Sequence, residues 1–162
     1  MKGLVRTTVF GLALLVSGLA GAADKLFVRD DLASDAVRLE TRLKSKAEAA
    51  ADLALVKRNA EAAFQKGDWA SVQTLYGRLA PLEPKDPQNW QRYAIGAALQ
   101  DVADYSVRWQ MRNDAHAAAY LAYQRAATPQ AEAQALNALA LTWVRTEDFR
   151  PALAALRASL KT

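Results

Sequence analysis

Two short strings, Gly67-Asp68-Trp69 and Glu147-Asp148-Phe149, stand eighty residues apart, each between stretches whose small and apolar residues recur at three- and four-residue steps. That step marks one face of an α-helix, in which 3.6 residues complete a turn. Each string therefore predicts a helix, a tight turn and a second helix folding back on the first. Other starts are punctuated in the same way. Asp86 precedes Pro87 and Thr128 precedes Pro129. In both pairs an N-cap side chain is followed by proline at the first helical position, where no amide hydrogen is needed. Asp68 is expected to cap a helix from Trp69, and Asp148 another in which Pro151 is tolerated in the first turn. Alanine is abundant and β-branched runs are almost missing, so the expected class is all-α.

The stretches align with one another. From Leu53 to Asp86, Val56, Ala60 and Ala63 share one helix face and Val72, Tyr76 and Leu79 share the next, with Pro84 closing the unit. From Ala133 onward, Leu136, Leu139, Ala140 and Trp143 lie on a first helix and Ala152 and Leu156 on a second. Between these copies, Pro87-Gln88-Asn89-Trp90 opens a stretched one. Its first helix carries Tyr93, Ala94 and Ala97, and its second Ala119, Tyr123 and Ala126. The pattern resembles the tetratricopeptide repeat, whose period is about 34 residues. It departs at Asn59, Val72 and Leu79, where that family has leucine, alanine and alanine. Eighty residues exceed two periods by about a dozen, and the excess falls at Gln100 to Asn113. An insertion is expected there, as a loop or as an extension of the second helix. The expected architecture is tetratricopeptide-like stacked helix hairpins, about three pairs, over residues 53–162, the middle pair carrying the insertion. A cap helix is expected in residues 23–52, with Leu32, Val37, Leu39 and Leu43 as its apolar residues, because terminal units of stacked arrays cover an exposed apolar face. Nothing caps the last helix, so a second copy or a continuation of the chain is expected to cover it. An alanine-rich bundle of another kind would share the small-residue spacing; the two matching turns favour the repeat.

The first residues have a different character. Lys2 and Arg6 precede the apolar run Val9 to Ala20, and Ala20-Gly21-Ala22 supplies small residues for cleavage. That order is expected of a secretory signal peptide over residues 1–22. An uncleaved anchor is the alternative, although the run is shorter than the ~20 residues that cross a bilayer. Export to the periplasm or cell envelope follows as the expected location. Loss of Lys2 and Arg6 would lower the net charge from +4 to +2, too small and too dispersed a surplus for a nucleic-acid surface. The sequence has no cysteine, which excludes disulfides and thiol chemistry within it.

Further strings carry a second resemblance. DLASDAVRLETRLK, AAAYLAYQRAAT and EAQALNALALTWVRTEDFRPALAALRASLK are similar, in order, to the N-terminal leader of bacterial alpha-2-macroglobulin family proteins, large envelope proteins that trap proteases. The resemblance covers nearly all of the chain after residue 22. It implies a segment that binds a partner or positions downstream domains of a longer chain, of which this sequence would be a fragment. It transfers no inhibitory residue, since the thioester motif needs a cysteine. The alternative is a free-standing periplasmic repeat adaptor. A membrane-surface binder, suggested by the positive charge, ranks third.

No chemistry-bearing constellation accompanies these features, and catalytic, cofactor and metal sites are expected to be absent. His116 is the only histidine and is expected at a helix surface or in packing. Glu40, Glu48 and Glu61, among basic residues, are expected on solvated faces. Trp69, Trp90 and Trp143 fall on packing positions, whereas Trp109 is a candidate exposed anchor beside Arg108 and Arg112. Tetratricopeptide arrays bind peptides or helices along their first helices. Repeat register places Lys57, Glu61 and Phe64, then Gln91, Ile95 and Leu99, then Asn137, Leu141 and Val144 on that groove. The lysine–asparagine carboxylate clamp of some family members is not reproduced, because Glu61 replaces the amide.

Overall fold

The computed structural model describes residues 32–47 and 52–162. The expected signal peptide, much of the expected cap segment and Glu48 lie outside the described residues. Within them, all regular structure is helical: α1 (Leu32–Lys46), α2 (Leu53–Lys66), α3 (Trp69–Leu82), α4 (Pro87–Leu99), α5 (Tyr105–Arg125), α6 (Pro129–Arg145) and α7 (Phe149–Ser159).

Local chemistry sets the starts. The side chain of Asp68 accepts the amide of Ser71, Asp86 that of Gln88, and Thr128 that of Ala131. Asp52 and Asp104 do the same for α2 and α5. Each such cap stabilises a helix end by about 1 kcal/mol. Asp148 departs from expectation, for its side chain makes no cap bond. The amide that Asp68 accepts belongs to the third residue of its helix; in α7 that residue is Pro151, which has no amide hydrogen.

Consecutive helices from α2 to α7 pack on one another, and α4 also lies against α6. Alanines make this contact close. Ala60, Ala94, Ala98, Ala118, Ala119, Ala140, Ala152 and Ala155 are all buried. Between α3 and α4 even alanine is too large: a Cβ on Gly96 would lie 2.8 Å from the Gln73 amide nitrogen and from Val72. Trp90 and Trp143 are fully buried, and the Trp90 indole donates to the Pro84 carbonyl at 3.0 Å. Trp69 is only half-buried, edge-on to Phe64. The excess residues of the middle pair form both of the expected alternatives. A loop runs over 100–104, and α5 is 21 residues long where α3 has 14.

α1 is helical, but its place differs from that expected of an end cap. It packs on α3 and α5, along the flank of the second helices. Leu32, Ala36 and Leu39 are buried there, with Leu43 against the core. Their steps of four, three and four residues keep them on one stripe; Val37 falls off it and is exposed. Two ion pairs lock the helix to α5. Arg42 bonds Asp114, and Arg125 bonds Glu40 at 2.7 Å. Glu40 is thus no solvated-face residue, contrary to expectation.

Leu156, on the second helix of the last pair, is exposed. Its counterpart Tyr76 is buried and bonds Glu61 of α2; α3 is also covered by α4, whereas no described helix takes the place of α4 on α7.

Candidate functional site

The expected groove belongs to α2, α4 and α6, and three sets of contacts join them. The Gln91 amide donates to the Gln134 carbonyl at 3.3 Å, near the starts of α4 and α6. Near their ends Arg145 donates to the Ala98 carbonyl at 2.9 Å and meets Asp101 at 3.1 Å. These two helices therefore run side by side in the same direction. Arg145 also serves a carbonyl that the last turn of α4 cannot satisfy by itself.

Arg92 joins α4 to α2. Its guanidinium lies 3.3 Å from the Glu61 carboxylate and 3.5 Å above the Phe64 ring, an arrangement that the planar arginine head suits. The other Glu61 contacts are the Gln65 amide at 2.8 Å and the Tyr76 hydroxyl at 3.2 Å. The Gln65 hydrogen bond chiefly holds the Glu61 pKa below the usual carboxylate value, with Arg92 adding to it and partial burial opposing. Burial pushes the Tyr76 phenol up to about 12, with the Glu61 carboxylate adding to that rise and Arg92 opposing it. Lys57 pairs with Glu83 at 2.6 Å, and the second Glu83 oxygen accepts from Asn89. Lys57 and Glu83, and Arg92 and Glu61, are thus matched in pairs on this face.

None of the nine expected groove residues is in the buried core. Phe64, Ile95 and Leu141 are half-buried and packed against it, while Lys57, Asn137 and Val144 are exposed. Gln91 and Leu99 are half-buried, and Glu61 is held by its ion pair. Two clefts indent the face. One, of about 230 Å³, lies among Lys57, Glu61, Tyr76 and Gln88; the other, of about 220 Å³, lies among Gln88, Gln91, Gln134 and Ala135. They share Gln88. Sequence reasoning missed Gln88 and Gln134. Both lie three residues before an expected groove residue, so extending the helical step one turn toward each helix start reaches them. Arg92 and Glu83 carried no such signal.

Trp109 lies away from this face, on the extended start of α5. It is about half exposed and stacks parallel to Tyr105 at 6.4 Å, with Arg108 over the Tyr105 ring. His116 is buried against Trp143, ring centroids 4.2 Å apart, with Thr146 beside its Nε2. Among the described residues no three acidic or histidine side chains gather as a metal ion would require, and no helix is long and apolar enough to cross a membrane.

Comparison with models of known protein families, with characterised proteins and with solved structures found no match to this chain.

Proposed function

We propose that this chain is a non-catalytic protein–protein interaction module of the cell envelope, a stack of tetratricopeptide-like hairpins whose first helices hold a peptide or a partner helix. The observation that carries it is the joining of α2, α4 and α6 into one face by Arg92, Gln91 and Arg145. Half-buried Phe64, Ile95 and Leu141 supply an apolar floor, and the Gln88 and Gln91 amides can donate to and accept from an extended backbone. The recurrence of the same turn after α2 and α6, eighty residues apart, supports the repeat reading.

Within that class, the particular role we propose is the leader of an alpha-2-macroglobulin-type protease-trapping protein, exported behind residues 1–22 and binding or positioning domains of a longer chain. Its support is the ordered string resemblance. The DNA following the codon for Thr162 tests it. An in-frame continuation into β-rich domains supports the leader, whereas a stop codon followed by unrelated DNA overturns it in favour of a free-standing adaptor.

The face itself is tested by site-specific photo-crosslinking in an exporting bacterium, with the reactive residue at Ile95 or Leu141 and, as control, at exposed Gln124 on α5. An adduct of one defined mass is expected from both groove positions and not from Gln124. Equal labelling from Gln124, or none from the groove, contradicts the proposal.

A further inference from the structure

Phe149, Leu153, Leu156 and Leu160 follow one another at steps of four, three and four residues, so they form one stripe along α7 and its C-cap. They are between 40% and 87% exposed. The eighty-residue register gives each a counterpart on α3: Trp69, Gln73, Tyr76 and Ala80. That stripe is covered by α2 and α4 together. Tyr76 and Ala80 are buried, Tyr76 bonds Glu61 of α2 and Trp69 lies edge-on to Phe64 of α2, while Gln100, the C-cap of α4, donates to the Trp69 carbonyl and to Gln73. Gly96 of α4 leaves no room for a Cβ above Gln73. α5 repeats the arrangement. His116 stands at the corresponding place and is covered by Trp143 and Thr146 of α6. Two second helices thus carry the first helix of the next pair on this side. α7 carries a larger and more apolar stripe, and no described helix stands on it where α4 stands on α3.

The charges around the stripe select its occupant. Gly77 of α3, whose Cβ would come within 3.1 Å of the Tyr93 ring, corresponds to Arg157 of α7. Arg150 and Lys161 stand on the same side, and no acidic residue occurs from Phe149 to Thr162. A second copy packed two-fold on the stripe would bring these cations together, and like charges facing each other oppose association. A helix with acidic residues at that edge neutralises them.

We propose that the α7 stripe docks one further amphipathic helix from a protein partner, laid as α4 lies on α3, with small side chains over Leu153 and Leu156 and a carboxylate facing Arg157. This rests on the interaction-module reading and adds a second surface to it, on the opposite helix of the last pair.

The test uses a labelled peptide with the Pro84–Asp101 sequence, prepared with Y93E or with Y93K, titrated into the full chain by fluorescence anisotropy. The Y93E peptide is expected to bind saturably and at least tenfold tighter than the Y93K peptide. L153E/L160E in the protein, both at exposed positions, is expected to weaken it at least tenfold with unchanged circular dichroism, and R157E to reverse the peptide preference. N137E, at an exposed position on the first-helix face, is expected to leave this binding intact. Absence of binding, equal affinity for the two peptides, indifference to L153E/L160E, or loss with N137E at unchanged circular dichroism overturns the proposal. So does sedimentation showing self-association that L160E abolishes, which would make a second copy the occupant. Peptide binding with these preferences, beside a failure of groove crosslinking, would sink the first-helix reading alone.

Discussion

Gly67 and Glu147 hold the same left-handed backbone, with φ of 69° and 61°, at turns eighty residues apart. The hydrogen bonds around them match as well. Asp68 and Asp148 donate to the carbonyls of Ala63 and Trp143, both at 3.0 Å, and Gly67 and Glu147 donate to Phe64 and Val144. These are the paired bonds of a helix end closed through a left-handed residue. The two turns are one device made twice, with the unstrained residue present in only one of them.

Glycine adopts that conformation freely, and an L side chain there costs roughly 1 kcal/mol. E147G is therefore expected to stabilise the chain by about 1 kcal/mol, and G67A to destabilise it by a similar amount. Urea unfolding followed by circular dichroism reads both. A destabilised E147G would contradict the matched-turn account.

The helix α4 crosses α3 at Gly96. Alanine is favoured over glycine in a helix by about 1 kcal/mol, yet G96A would press a methyl group against the backbone of Gln73. Overpacking wins at such a contact, and G96A is expected to cost about 1–3 kcal/mol. G77A meets side chains rather than backbone, the Tyr93 ring at 3.1 Å and Leu43 at 3.9 Å, and is expected to cost less than G96A. Thermal unfolding of the two variants separates the cases.

Pro151 removes the amide three residues on that Asp148 could accept, and the Asp148 side chain makes no cap bond. In a P151A background that amide returns. D148A is then expected to cost about 1 kcal/mol, and little in the native chain. A double-mutant cycle measures the difference; no coupling between the two sites would refute the explanation.

Glu40 is held by Lys44 at 2.9 Å and Arg125 at 2.7 Å. Burial raises its pKa, and the two hydrogen bonds and their charges outweigh that, leaving it below its ordinary value of 4.5. A carboxylate whose folded pKa is lowered binds its proton more readily in the unfolded chain. Its stabilisation is therefore full above the unfolded value, near 4.5, and is lost as pH falls through the lower folded value. E40Q is expected to cost on the order of 1 kcal/mol at pH 7 and to flatten the loss of stability on acidification. Unfolding midpoints from pH 7 down to pH 3 provide the check.

What was legible in the sequence was local or periodic. Asp86-Pro87 and Thr128-Pro129 fix helix starts through atoms within three residues. The half-buried positions of Ile95 and Leu141 follow from helical spacing alone. The Asp148 cap fails because Pro151, weighed only for whether a first-turn proline is tolerated, also withdraws an amide hydrogen from the cap. The placement of α1 depends on Arg42–Asp114 and Glu40–Arg125, partners 72 and 85 residues apart, and no local rule pairs such distant charges. Arg92 was missed for the same reason: its value lies in Glu61 and Phe64 of another helix.

The central claim is that α2, α4 and α6 line up as successive members of one open stack. The chain has no cysteine, so spin labels can be placed at K57C, Q91C and N137C, corresponding positions on the three helices, and their distances measured in pairs by electron paramagnetic resonance. Neighbouring packed helices lie about 8–10 Å apart. An open stack predicts that the 57–137 distance exceeds both the 57–91 and the 91–137 distances and approaches their sum. Three similar distances, as in a closed bundle, would contradict it.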